Sequence, residues 1–168
     1  NRPGVLNRIA SKWRQRGFNI ESLAVGHSET PGLSRMTVVV DATTDADQVV
    51  KQLDKLVDIV DIKEVSQDEA VNRETALIKV RVDAGNRSHI IEVADIFRAN
   101  VIDVSADSMV VEVTGDEGKV DAMFKLLEDY GVIEMVRTGR VSMIRGGVAS
   151  HPAPEDSRYD RYPQGELW

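Results

Sequence analysis

The strongest constraint in this 168-residue chain is a repeated order of elements, which appears once in each half. In the first half Val5, Leu6, Ile9, Ala10 and Trp13 recur at helical spacing, with Asn7, Arg8, Ser11, Lys12 and Gln15 between them. That pattern predicts a helix with one buried face, stopped at Gly17. Ile20 to His27 and Leu33 to Asp41 read as two strands of a hairpin around Glu29-Thr30-Pro31-Gly32, the second alternating Met36, Val38 and Val40 with Arg35 and Thr37. A second helix presents Val49, Val50, Leu53, Leu56 and Val57, and Ile59 to Val65 is expected to return as a strand.

The order recurs beyond the polar stretch Ser66 to Arg73, now with its opening strand present. Ala76–Val82 is a predicted strand, and His89–Ala99 a helix with Ile90, Val93, Ala94 and Phe97 on one face. Val101–Val104 and Met109–Thr114 are the next strands, Lys119–Asp129 the second helix and Val132–Met143 the last strand, with Gly115 and Gly131 as punctuation. A strand–helix–strand–strand–helix–strand order with short links folds most simply as an antiparallel four-stranded sheet carrying two helices on one face. The expected class is α+β, with two ferredoxin-like βαββαβ domains at residues 1–68 and 74–145 and a tail at 146–168. The first domain starts at the turn before its helix, so its opening strand is expected from residues outside this segment or from another chain. The Pro-, Gly- and charge-rich tail holds Tyr159, Tyr162 and Trp168 without periodicity. It reads as a mobile segment or as an arm whose aromatics anchor on a partner.

Composition removes several functions. Without cysteine there is no disulfide, thiolate nucleophile or cysteine metal site, which fits a reducing compartment. No apolar run approaches the roughly 20 residues that span a bilayer, and no segment has the order of a signal peptide, so neither membrane nor secretion is expected. A formal charge of −7 argues against nucleic acid. His27, His89 and His151 lie in separate segments without a metal-ligand spacing, and no nucleophile elbow, phosphate loop or dinucleotide fingerprint is present. No catalytic constellation can be named.

One locus invites a ligand. Asn1-Arg2-Pro3-Gly4-Val5-Leu6 places a tight glycine turn at the start of a helix, where free N–H groups and the positive end of the dipole favour a carboxylate. The same residues also suit a helix that simply begins there. Asn19, opening the next strand, reads as a ligand contact on the same sheet edge as that turn or as a turn former.

The turn, followed by Arg16-Gly17-Phe18-Asn19-Ile20-Glu21-Ser22-Leu23, Leu33-Ser34-Arg35-Met36-Thr37 and Gln52-Leu53-Asp54-Lys55-Leu56-Val57-Asp58, resembles the small regulatory subunits of acetohydroxyacid synthase (acetolactate synthase). The resemblance continues through Asp95-Ile96-Phe97-Arg98-Ala99, Val113-Thr114-Gly115 and Arg137-Thr138-Gly139-Arg140, as far as about Arg145. It implies an N-terminal ACT domain and a second ferredoxin-like domain. It also implies a homodimer through the ACT domains, with a branched-chain amino acid, foremost valine, at their interface. By the same resemblance the Gly4 turn holds the ligand carboxylate and Asn1 and Asn19 make polar contacts, Asn19 from across the dimer. Val5 and Leu6 would serve as backbone donors and Ile20 as a wall. The implied partner is a catalytic large subunit carrying thiamine diphosphate, magnesium and FAD, which this chain would activate and submit to feedback inhibition. No cofactor is implied here, and the setting is cytoplasmic, or plastid in a photosynthetic eukaryote. Topology alone would also admit an acylphosphatase-like hydrolase or an RNA-binding module. The latter would need a basic face and strand aromatics that Met36, Val38, Val40, Met109, Val111 and Val113 do not provide.

Overall fold

A computed structural model describes residues 4–41, 43–65 and 69–147. The Asn1 contact and the tail from 148 to 168 lie outside the described residues. The chain divides into two compact units, Asn1–Val71 with Ser142–Trp168, and Asn72–Val141.

In the first unit, helix α1 (Val5–Arg16) buries Ile9 and Trp13. It ends where Gly17 turns left-handed (φ 69) and donates its N–H to the Arg14 and Trp13 carbonyls, with Phe18 N–H following to Trp13 at 3.2 Å. Strands β1 (Ile20–His27) and β2 (Ser34–Val40) pair antiparallel from Ile20↔Val40 to His27↔Ser34, with an irregularity between Ile20 and Ser22. The turn between them is tied by Ser28, whose N–H reaches the Leu33 carbonyl at 3.1 Å and whose hydroxyl accepts the Thr30 N–H at 3.1 Å. Helix α2 (Ala46–Leu53) is capped by the Asp45 carboxylate on the Gln48 N–H. Ile9, Trp13, Val49 and Leu53 form the core, against which Met36, Val38 and Val40 pack as their alternation requires.

The expected strand over Ile59–Val65 does not form, although Ile59 and Ile62 still pack on this core. The second unit supplies the reason. Its strands β3 (Ala70–Arg81), β4 (Asn100–Val104), β5 (Ser108–Gly115) and β6 (Val132–Arg137) lie in the order β4-β5-β3-β6, all antiparallel. That is the ferredoxin-like arrangement, in which the last strand is bonded to the first. In the first unit no described residue occupies the first position, so the 59–65 segment has apolar contacts but no ladder partner.

Helices α3 (Arg87–Ile96) and α4 (Glu117–Glu128) cover one face of the second sheet. Ala76, Ile78 and Val80 of β3, Val82 just beyond it, and Met109, Val111 and Val113 of β5 contribute to a core closed by Ile90, Ala94, Val120, Met123 and Leu127. The strict alternation sets the register, because a one-residue slip would turn every one of these side chains outward.

Some boundaries differ from expectation, and α2 stops at Leu53, so that Leu56 and Val57 lie beyond it. β3 begins at Ala70, inside the polar stretch expected to link the halves, because a further strand β7 (Val141–Ile144) returns to pair with it. Arg145 extends that pairing, its N–H reaching the Glu69 carbonyl at 2.9 Å and its Nε the Ala70 carbonyl at 3.2 Å. The run Val132–Met143 accordingly divides into β6 and β7. Thr138 marks the end of β6, its N–H donating to the Thr75 carbonyl at 2.9 Å and its hydroxyl accepting the Thr75 N–H at 3.0 Å. Nearby, Arg137 bridges the buried Glu74 and, at 2.7 Å, Asp121, while Arg140 pairs with Glu117.

Candidate functional site

Gly4 adopts a left-handed conformation (φ 82), which turns the chain into α1 at a position where most side chains would be strained. The first helical hydrogen bond runs from the Arg8 N–H to the Gly4 carbonyl at 3.0 Å, so the N–H groups of Val5 and Leu6 precede the helical ladder. Among the described residues no side chain caps this end and no acidic residue stands in its first turn, features shared by the start of α3, whereas Asp45 and Asp116 cap α2 and α4. The positive end of the α1 dipole is therefore left uncompensated by any carboxylate of its own.

A guanidinium stands beside it. Arg8, one turn along α1, leans back toward the helix start as helical side chains do, and its Nη1 lies 3.5 Å from the point where a Cβ on Gly4 would stand. Asp58 holds the other side of the guanidinium, at 2.9 Å from Nε and 2.7 Å from Nη2. The Asp58 side chain is 12% exposed, so the arginine is anchored from within the unit. Arg8 was not among the residues singled out from sequence. Its spacing from Gly4 hints at the placement, but the anchor is 50 positions away and is visible only in the fold.

The other expected site residues fall in two groups. Val5 and Ile20 are half-buried and pack on the core, so Val5 offers a ligand its backbone more than its side chain, and Ile20 is largely committed to packing. Leu6 is 47% exposed at the helix start. Asn19 is exposed just before β1, beyond the far end of α1 from Gly4. Twelve helical residues separate the two, a rise of about 18 Å. The expectation that the turn and Asn19 share one edge is thus corrected: within one protomer they cannot touch the same amino acid.

Asn19 is tied to the end of β2. Its carbonyl accepts the Asp41 N–H at 3.4 Å. Asp41 Oδ1 also accepts from Thr44 Oγ1 at 2.7 Å, Thr43 Oγ1 at 2.8 Å and the Thr43 N–H at 3.2 Å. These donors, Thr44 foremost, then Thr43, hold the Asp41 carboxyl below the usual carboxylate range against an opposing effect of burial. Among the described residues no group of histidines and carboxylates is arranged to hold a metal, and no helix is long and apolar enough to cross a membrane.

Residues 1–61 match the family described as the AHAS small subunit-like ACT domain, and residues 73–146 match the small subunit of acetolactate synthase. The acetolactate synthase small subunit of Mycobacterium bovis is 51% identical over 147 residues, covering 87% of this chain and 88% of that protein. This chain belongs to the acetolactate synthase small-subunit family. A probable small subunit from Archaeoglobus fulgidus is 49% identical over 147 residues, with 87% of this chain and 92% of the relative covered. The crystal structure of the small subunit from Thermotoga maritima superposes with a TM-score of 0.81 at 42% identity, covering 88% of this chain and 93% of that one. The family resemblance noted in the sequence and the ferredoxin-like α+β class both hold.

Proposed function

We propose that this chain is the regulatory subunit of an acetolactate synthase, acting in branched-chain amino acid synthesis by activating a catalytic large subunit and making it sensitive to valine. Residues 1–68 form the ACT domain that binds the effector, residues 74–145 the second ferredoxin-like domain, and residues 146–168 a tail. The observation that carries this reading is the uncapped start of α1 beside Arg8, a place suited to an amino acid's carboxylate.

In the proposed site the carboxylate takes the N–H groups of Val5 and Leu6 at the Gly4 turn, with Asn1 as a further polar contact. Asn19 comes from a second copy, which the length of α1 supports, and Ile20 contributes at the wall of the pocket. Valine would lie between two ACT domains and favour one arrangement of the pair. It can shift activity only to the extent that it binds the two arrangements differently, and couplings of this kind are typically about 1–3 kcal/mol. The chain itself carries no reaction step. The thiamine diphosphate, magnesium and FAD chemistry belongs to the large subunit, and the assembly is cytoplasmic, or plastid in a photosynthetic eukaryote.

The test is to combine the full chain with its catalytic subunit and measure acetolactate formation with valine, leucine or isoleucine added. Activation, followed by inhibition strongest with valine, is the expected result. Absence of activation would refute the regulatory reading, and activation insensitive to all three amino acids would refute the effector site.

A further inference from the structure

A guanidinium carries five N–H donors in one plane, and they make two edges that each fit a carboxylate: Nε with one Nη, and the two Nη nitrogens together. In Arg8 the first edge is taken. Asp58 Oδ2 accepts from Nε at 2.9 Å and lies 2.7 Å from Nη2. Both N–H bonds of Nη1 and the second of Nη2 lie outside that contact, and among the described residues Arg8 has no other side-chain partner. The open edge contains Nη1, the nitrogen that stands 3.5 Å from the Cβ position of Gly4. It therefore borders the turn whose Val5 and Leu6 N–H groups precede the helical ladder.

Asp58 owes its place to other contacts than Arg8. It lies between Leu56 and Ile59, which both pack on the core of the first unit. Two successive turns carry the chain there, the Leu56 N–H reaching the Leu53 carbonyl at 2.9 Å and the Ile59 N–H the Leu56 carbonyl at 3.0 Å. The Asp58 side chain is 12% exposed and that of Arg8 49%, so the carboxylate is the fixed member and the arginine the one that is held. A long side chain loses much rotamer freedom when it is ordered, and here that loss precedes any ligand.

We propose that Asp58 is a positioning residue of the amino-acid site: by holding the Nε edge of Arg8 it turns the Nη1–Nη2 edge toward the Gly4 turn, where it receives the ligand's α-carboxylate. This rests on the effector site proposed above and assigns one of its determinants to a residue that touches no ligand. Charge alone predicts the opposite influence. Asp58 is an anion behind the guanidinium, so its field repels a ligand carboxylate, and removing it would tighten binding if nothing else changed. Positioning predicts that removing it weakens binding.

The experiment measures calorimetric binding of valine and of valinamide, which keeps the ammonium and the branched chain but has no carboxylate. The proteins are the full chain, Asp58→Asn, Arg8→Gln and the double variant, each checked for folding by thermal unfolding. Asp58→Asn is expected to lose about tenfold in valine affinity, the effect of one charge-assisted hydrogen bond, with valinamide unchanged. In the Arg8→Gln background it should cost nothing further. Valine binding that is unchanged or tighter in Asp58→Asn, or equal losses for both ligands, overturns the positioning role while leaving the effector site standing. Failure of the wild-type chain to bind valine overturns the site itself. Should Asp58→Asn fail to fold, the wild type alone still decides: its Arg8 guanidinium nitrogen signals should shift in NMR on adding valine and stay in place with valinamide. The same response to both ligands overturns the contact.

Discussion

Replacing Gly4 by aspartate separates the folding of α1 from its proposed use. The left-handed backbone (φ 82) costs an ordinary L-residue about 1–2 kcal/mol, and less for aspartate or asparagine, which tolerate that region. The new Cβ would stand 3.5 Å from Arg8 Nη1, an ordinary contact, so no neighbour has to move. The added carboxylate then lies at the positive end of the helix, where it recovers about 0.3–1 kcal/mol. Stability should change by less than about 1 kcal/mol, a shift in Tm of no more than about 8 °C. Binding should respond quite differently. A ligand carboxylate about 4 Å from the new charge meets a repulsion of about 1 kcal/mol in water and about 4 kcal/mol at the effective dielectric of a protein surface, a loss of roughly five- to a thousandfold. Gly4→Asn carries the same backbone strain without the charge and should lose much less. Valine calorimetry alongside thermal unfolding of the three proteins tests this. A Gly4→Asp chain that unfolds near the wild-type temperature and binds valine with wild-type affinity would remove the turn from the site.

Further outcomes follow from the geometry. Arg8→Gln should weaken valine binding about tenfold or more and, because it leaves the 12%-exposed Asp58 without its cation, should also lower ligand-free stability; equal affinity in calorimetry would exclude the guanidinium. Leu127→Ala, deep in the second core, should cost about 2–5 kcal/mol in denaturant unfolding. Arg137→Met should cost about 3 kcal/mol, because Glu74 is left buried without its cation. For Asp41, whose folded carboxyl is held below the usual range, the associated stability is present above the unfolded value and disappears as pH falls through the folded one. Its carboxyl carbon should therefore titrate by NMR at lower pH than an unfolded aspartate, and Thr44→Val should move the midpoint back up; no movement would contradict Thr44 as the main cause.

Periodicity was informative wherever a residue's neighbours are close in sequence. Ile9 and Trp13 mark the buried face of α1, Gly17 its end, and Met36, Val38 and Val40 the inner face of β2, all through contacts within one or two turns or one pleat. The 59–65 segment misled because its apolar residues look like a strand whether or not a ladder partner exists. Thr138 ends β6 through Thr75, 63 residues away, and the adjacent Gly139 was the one local hint of it. Arg8 with Asp58 and Asn19 with Asp41 were hidden for the same reason: each pair is polar, distant in the chain and joined only once the sheet and helices have packed. The glycine turn was legible as chemistry, but not the separation of Gly4 from Asn19, which depends on where α1 stops.

That separation makes the effector response a matter of mass action. In the proposed site a single valine cannot reach from Gly4 to Asn19 along one helix of twelve residues, so a complete pocket exists only while two copies are together. Effector and second copy then raise each other's affinity by the same factor. Diluting the subunit toward its pairing constant would blunt its response to valine, and excess valine would restore the pair. The amount of subunit a cell makes would set its sensitivity as surely as any residue in the pocket.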